Sequence, residues 1–322
     1  MNAYRTSVAA AFALVAGSVS TAPAQGRDAG EAGGAPSSAV TVEIVDRVTP
    51  FVAFYDAAVA EGAGPERRWQ LWKERYDYAA LPPVPQRDSL ARALLDSAWH
   101  RYPGVMDRIR GGPEAHRAQY TAALGSVASL LGADSVTVRM IVYVGALENN
   151  AFFNAERGAL KVVFPLEADP YWTENVLVHE LAHAVHHRLA GFSEGWERSI
   201  ARTLFAEGLA ARASQALVPG REDAGYLDHR PGWLAEAAPR RDAILRGIAP
   251  VLRASDSETV MRFTMGRGTS GVEREAYYAG WLVVGDLLER GWTLAELAHL
   301  SEDEIPAVVE QSITHLLAQP GR

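Results

Sequence analysis

The chain has 322 residues, no cysteine and a formal net charge of −8. That length allows one large or two small domains, and 48% hydrophobic residues suffice for a substantial core. With no basic block, nucleic acid is not an expected partner, and without cysteine there is no disulfide, thiolate metal site, cysteine nucleophile or lipoprotein anchor.

Residues 1–24 read as a secretory signal. Arg5 supplies a positive start, SVAAAFALVAGSV (7–19) is a short apolar run, and APA (22–24) offers a small-x-small cleavage site. The run is shorter than the roughly 20 residues a membrane span needs, so the expectation is an exported chain, periplasmic or secreted, with no transmembrane segment once mature. Residues 25–39, rich in Gly, Ala, Pro and Ser, read as a flexible leader.

From 40 to 131 apolar residues recur at three- and four-residue spacing, which predicts a helical N-terminal region. LPPVP (81–85) breaks it, Pro113 stands near one helix start and Gly132 just past its end. VTVRMIVYV (136–144) alternates as a strand does, and GALKVVFPL (158–166) is a second candidate strand. After Pro170 the helical pattern returns, with Asp169 or Thr173 as cap and Gly191 beyond the end. A further helix is expected over about 197–217, and others near 239–254, 273–290 and 301–318. The fold class is therefore mainly α with some β: a small sheet preceding a histidine-rich helix, flanked by helical N- and C-terminal parts.

That helix carries His179, Glu180 and His183 as H-E-x-x-H. Residues i and i+4 lie about 40° apart around a helix, so both imidazoles can converge on one ion. Glu180 can then reach a water at that ion without being a ligand itself, as a general base requires. With nine histidines, the pattern arises by chance roughly once in a hundred such chains, so it is informative without being sufficient. His187 lies about 12 Å along the axis from His179 and cannot share its ion; His186 points elsewhere. Both are expected to be bystanders.

A third ligand must come from another element, because position 189 is leucine and the extended H-E-x-x-H-x-x-G-x-x-H pattern fails. Glu207 sits among apolar neighbours in LFAEGLAARASQAL (204–217), where a carboxylate needs a partner. An antiparallel second helix would bring it opposite the histidines, and Gly208 would allow the two helices to approach. Glu194 and Glu197, in the connecting segment, compete for the role.

H-E-x-x-H on one helix and A-E-G-L-A on the next resemble the gluzincin zinc metallopeptidases. The chain looks like the bacterial "predicted zinc-dependent protease" families, which also carry a later Tyr/Gly-rich helix similar to EAYYAGWLVVGDLLERG (275–291). The likeness is concentrated in roughly 134–300. It implies a zincin-like metallopeptidase domain over 132–322, Zn2+ on His179, His183 and Glu207, and Glu180 as base. It also implies a Tyr or His that stabilises the oxyanion: Tyr278 or Tyr277, with His229 as a further option. A strand beside the site would bind peptide by edge pairing, and NNAFFN stands at that place in the order. One departure is Ala211, where many gluzincins have a carboxylate that orients a metal histidine.

The reading that follows is an exported zinc metallopeptidase acting on a peptide or protein by metal-activated water. The alternatives are a non-catalytic zinc-containing envelope binding protein and a zinc hydrolase of a non-peptide amide. Exposed Trp69 and Trp72 would favour the last of these, whereas both buried in a helix core would not.

Overall fold

We describe the computed structural model over residues 39–81, 84–195 and 198–319. The expected signal peptide, the leader up to residue 38, and Glu197 lie outside the described residues.

Four strands form one mixed sheet in the order β1-β2-β4-β3. β1 (Ala39–Asp46) runs parallel to β2 (Ser135–Tyr143), and β2 parallel to β4 (Ala159–Pro165). β3 (Phe152–Glu156) pairs antiparallel with β4 and leaves its other edge free. In β2, Val136, Val138, Met140 and Val142 are all buried, the period-2 face expected of a strand with a covered side. Arg157 and Gly158, with φ of 52° and 75°, form the two-residue turn between β3 and β4. Two positive φ values are what a tight hairpin turn demands.

β1 corrects the helical reading of the first residues after the leader. AVTVEIVD does alternate, but only Val42 of it is buried, and the helical spacing of the next segment begins within it. β3 is likewise silent in the sequence, because neither of its faces is buried.

The helices α1 (Val48–Ala60), α2 (Pro65–Arg75), α3 (Arg87–Ala98), α4 (Met106–Arg110) and α5 (Arg117–Leu131) lie between β1 and β2. Asp46 ends β1 and satisfies the first free amides of α1, accepting from Val48 (2.7 Å) and Thr49 (3.0 Å). Phe51 makes edge contacts with Phe54, Tyr76 and Tyr102. Two of these tyrosines fasten the helices to the end of the sheet. Tyr76 donates to the Val144 carbonyl (2.7 Å) and Tyr102 to that of Gly145 (2.8 Å). Trp72 is buried and Trp69 stacks on it at 4.8 Å, so this pair belongs to the core.

After β4 come α6 (Pro170–Ala190), α7 (Ile200–Leu217), α8 (Ala224–Leu227), α9 (Trp233–Ala237), α10 (Arg241–Ile248), α11 (Ser257–Thr264), α12 (Glu275–Glu289), α13 (Leu294–Ala298) and α14 (Ile305–Ala318). The helix expected over 239–254 is shorter than its pattern. Pro239 and Pro250 each sit in a tighter turn at its ends, since proline supplies no amide and crowds the preceding turn. α5 and α6 pack on the sheet and on each other, and the main core draws on residues from Val42 to Leu316. No helix among the described residues is long and apolar enough to cross a membrane.

Where β4 leads toward α6, Glu167 is only 2% exposed. One of its oxygens accepts from the amides of Gly145 (2.8 Å) and Leu147 (3.4 Å), and the other has no partner among the described residues. Burial first, and then the nearby Glu148 charge, pushes its carboxyl up to about 8. Unfolded, it ionises near its ordinary 4.5. Between those values the folded chain keeps a proton the unfolded chain has lost. Stability therefore falls as pH rises through this window, by up to about 1.4 kcal/mol per unit, and levels off above it. Glu167→Gln removes the titration. In urea denaturation the variant is expected to gain on the wild type steadily from about pH 5 to about pH 8; a difference that stays constant over that range would refute the assignment.

Candidate metal centre

α6 starts where Asp169 accepts from Tyr171 (2.9 Å) and Trp172 (3.4 Å) with Pro170 at the first helical position, and stops at Gly191 with φ of 63°. α7 starts at Ser199, whose hydroxyl accepts from the Arg202 amide (3.2 Å). The two helices run antiparallel: the Ser214 hydroxyl donates to the Asn175 carbonyl (3.3 Å), and the Phe205 ring meets His186 at 5.9 Å. Alanines at 182, 184, 201, 210 and 213 are fully buried and allow the close approach.

This pairing brings His179, His183 and Glu207 together. The two Nε2 atoms are 3.1 Å apart, and each lies 3.4 Å from Glu207 Oε2. Ligands about 2.0–2.1 Å from a tetrahedral ion stand roughly 3.3 Å from one another. The three donors thus already have the spacing of one face of a tetrahedron, and they can hold a metal ion. Burial alone would raise the Glu207 carboxyl, but His183 and His179 outweigh it and hold it well below the usual carboxylate range.

Glu180 is 8% exposed and is not a member of the triad. Its carboxyl is pushed up to about 7, chiefly by burial; His179 opposes the rise, Glu207 adds to it, and the Phe153 amide and Arg274 oppose it. Phe153 belongs to edge strand β3 and its ring stacks on that of His183 at 6.4 Å, so the edge strand of the sheet adjoins the centre.

The remaining histidines of α6 stand apart from the triad. His186 is buried against Phe192 and Phe205, and burial holds it neutral by lowering its pKa to about 3. His187 meets the Phe153 ring at 5.5 Å and is lowered to about 4, again chiefly by burial. Glu194 accepts from the amides of Arg157 (2.8 Å) and Gly158 (2.7 Å), so it caps the β3–β4 turn and is not grouped with the histidines.

α12 packs along α7 at two glycines. A Cβ on Gly208 would run into the Gly280 carbonyl, and one on Gly280 into that of Leu204. The crossing brings Tyr277 under the influence of the Glu207 charge; burial dominates and raises its hydroxyl. Tyr278, about 100° further round the helix, is buried against Trp233 and senses Arg241 and Asp223 instead. His229 also packs on Trp233, at 5.2 Å, and is lowered to about 3 by burial, Arg274 and Arg230.

No protein-family model and no curated protein matches this chain. The cluster itself, on helices that follow a small mixed sheet, is consistent with an H-E-x-x-H zincin motif. Sequence reasoning did not find Arg274, whose charge reaches Glu180, Tyr277 and His229. Its setting in GVEREAYY looks like a solvated run of mixed charge, and nothing in the spacing marks it out.

Proposed function

We propose that the chain is an exported zinc metallopeptidase of gluzincin type, with a peptide or protein as substrate. The observation that carries this reading is the donor triangle of two imidazoles and one carboxylate with a buried, non-ligating Glu180 beside it. Two nitrogens and one oxygen suit zinc, whose catalytic sites take three protein ligands. Zinc bound there would acidify a water and polarise a substrate carbonyl. The export half of the reading rests on the pattern in residues 1–24.

In this proposal Glu180 takes the proton of the attacking water and passes it to the leaving amine. A carboxyl beside the ion and not bound to it can make both transfers. The free edge of β3 pairs with the substrate backbone and presents the scissile amide to Glu180. Tyr277, the tyrosine that senses Glu207, donates to the developing oxyanion.

A peptide library incubated with the zinc-loaded chain tests the reading. Cleavage should vanish on chelation and return with zinc. Glu180→Gln should bind zinc as the wild type does and lose about 100-fold or more in kcat. A Gln variant as active as the wild type would remove Glu180 from the base role. Tyr277→Phe should lower kcat by about 10–100-fold with little change in KM, whereas Tyr278→Phe leaves kcat within about twofold. The reverse order would assign the role to Tyr278.

A further inference from the structure

Arg274 precedes α12 in a left-handed conformation, with φ of 58°. Its amide donates to the Gly266 carbonyl (2.9 Å), and the Trp233 indole donates to the carbonyl of the preceding Glu273 (2.8 Å). The backbone is thus held on both sides of a position that few non-glycine residues adopt. The guanidinium lies over the Tyr277 ring, its central carbon 3.8 Å from the ring centroid. Its Nε is buried and has no hydrogen-bond partner among the described residues.

Arg267 and Arg230 beside it are paired. Glu273 engages Arg267 at 2.9 Å and Arg230 at 3.6 Å, and it faces His229 at 3.8 Å. Arg230 also pairs with Glu236. Glu273 is the residue next to Arg274 in sequence, yet its carboxylate turns to the others. Among the described residues no carboxylate stands within ion-pair distance of Arg274. The chain has 39 acidic against 31 basic side chains, so a shortage of carboxylates does not explain the gap.

We propose that Arg274 is the specificity-determining residue of the metal centre and receives a carboxylate of the substrate. The carboxylate is either an Asp or Glu side chain beside the scissile bond or a free C-terminus. This inference rests on the peptidase reading above. A guanidinium offers planar pairs of N–H groups that match the two oxygens of a carboxylate, and a ring beneath it fixes the plane of that fork. Tyr277, beneath the guanidinium, stands three residues before Gly280, whose backbone meets Gly208 beside Glu207, and this crossing sets the carboxylate subsite next to the bond to be cut.

The test uses three hydroxamate-headed dipeptides, in which the hydroxamate engages zinc and the tail varies. The tails are leucyl-glutamine amide, leucyl-glutamate amide and leucyl-glutamine with a free C-terminus. Binding to the zinc-loaded full chain is read by calorimetry. At least one carboxylate probe should bind about tenfold or more tighter than the neutral amide. Which of the two does so identifies the source of the carboxylate. In Arg274→Met the preference should shrink to within about twofold while the neutral probe keeps its affinity, and Arg274→Lys should restore it only in part. Equal binding of the three probes to the wild type, binding of none, or a preference that survives in Arg274→Met would each overturn the assignment. Selective binding without hydrolysis of any peptide would overturn the peptidase reading alone.

Discussion

Glu207→Ala is expected to release the metal, and Glu194→Ala to keep it. The two glutamates lie 13 positions apart, and both were candidates on sequence grounds. In the structure Glu207 Oε2 completes a triangle with two imidazole nitrogens at 3.4 Å, while both Glu194 oxygens are engaged by turn amides of the β hairpin. Removing Glu207 leaves two neutral donors and takes away the charge that offsets the cation. The loss in affinity should exceed the roughly 10–100-fold cost of mutating a mere outer partner of a ligand. Peptide hydrolysis should disappear with the metal. Metal content after dialysis against a competing chelator, read by mass spectrometry, decides between them. Retention in Glu207→Ala with loss in Glu194→Ala would move the third ligand to the loop. A wild-type chain that holds no metal after supplemented purification would end the metallopeptidase reading altogether.

The donor triangle was legible because helical geometry is rigid. Four residues of separation can place His179 and His183 in only one relation, and a carboxylate among Phe205, Ala206, Gly208 and Leu209 needs a reason to be there. The sheet was legible only where burial imposed alternation, as in β2. β1 and β3 lie at the two edges, where one side of the pairing is missing and the hydrophobic signal thins. Tyr277 and Tyr278 could not be told apart from sequence, because the face of α12 that meets α7 is set by the Gly208–Gly280 contact, a long-range event. Glu167 was invisible for a similar reason. Its burial arises when Tyr76, Tyr102 and the 145–148 segment close over the end of the sheet. Ala211 is buried and offers no carboxylate, so any support for His179 and His183 comes from elsewhere.

The same contact makes Gly280→Ala the most damaging small substitution expected in the chain. The added methyl would lie 3.0 Å from the Gly208 nitrogen and 2.9 Å from the Leu204 carbonyl carbon, and closer still to the carbonyl oxygen. All three are backbone atoms and cannot rotate away, so α12 and α7 must separate by on the order of 1 Å before ordinary carbon–oxygen spacing is restored. Overpacking of this kind costs about 3 kcal/mol or more, on the order of 5–10 °C in Tm. The damage does not stop at stability. Glu207 is the residue before Gly208, so the separation pulls on the third ligand and lifts Tyr277 from its place. A displacement near 1 Å at reacting groups can cost about 100-fold in rate. Gly285→Ala, on the same helix, meets the Arg212 guanidinium instead, the far end of a flexible side chain, and should cost much less. Thermal melting and metal affinity of the two variants side by side check the argument. A Gly280→Ala variant that melts and binds metal as the wild type does would show that α12 tolerates a methyl at the crossing, and one that loses no more than Gly285→Ala would show that Gly280 does not set the position of Glu207.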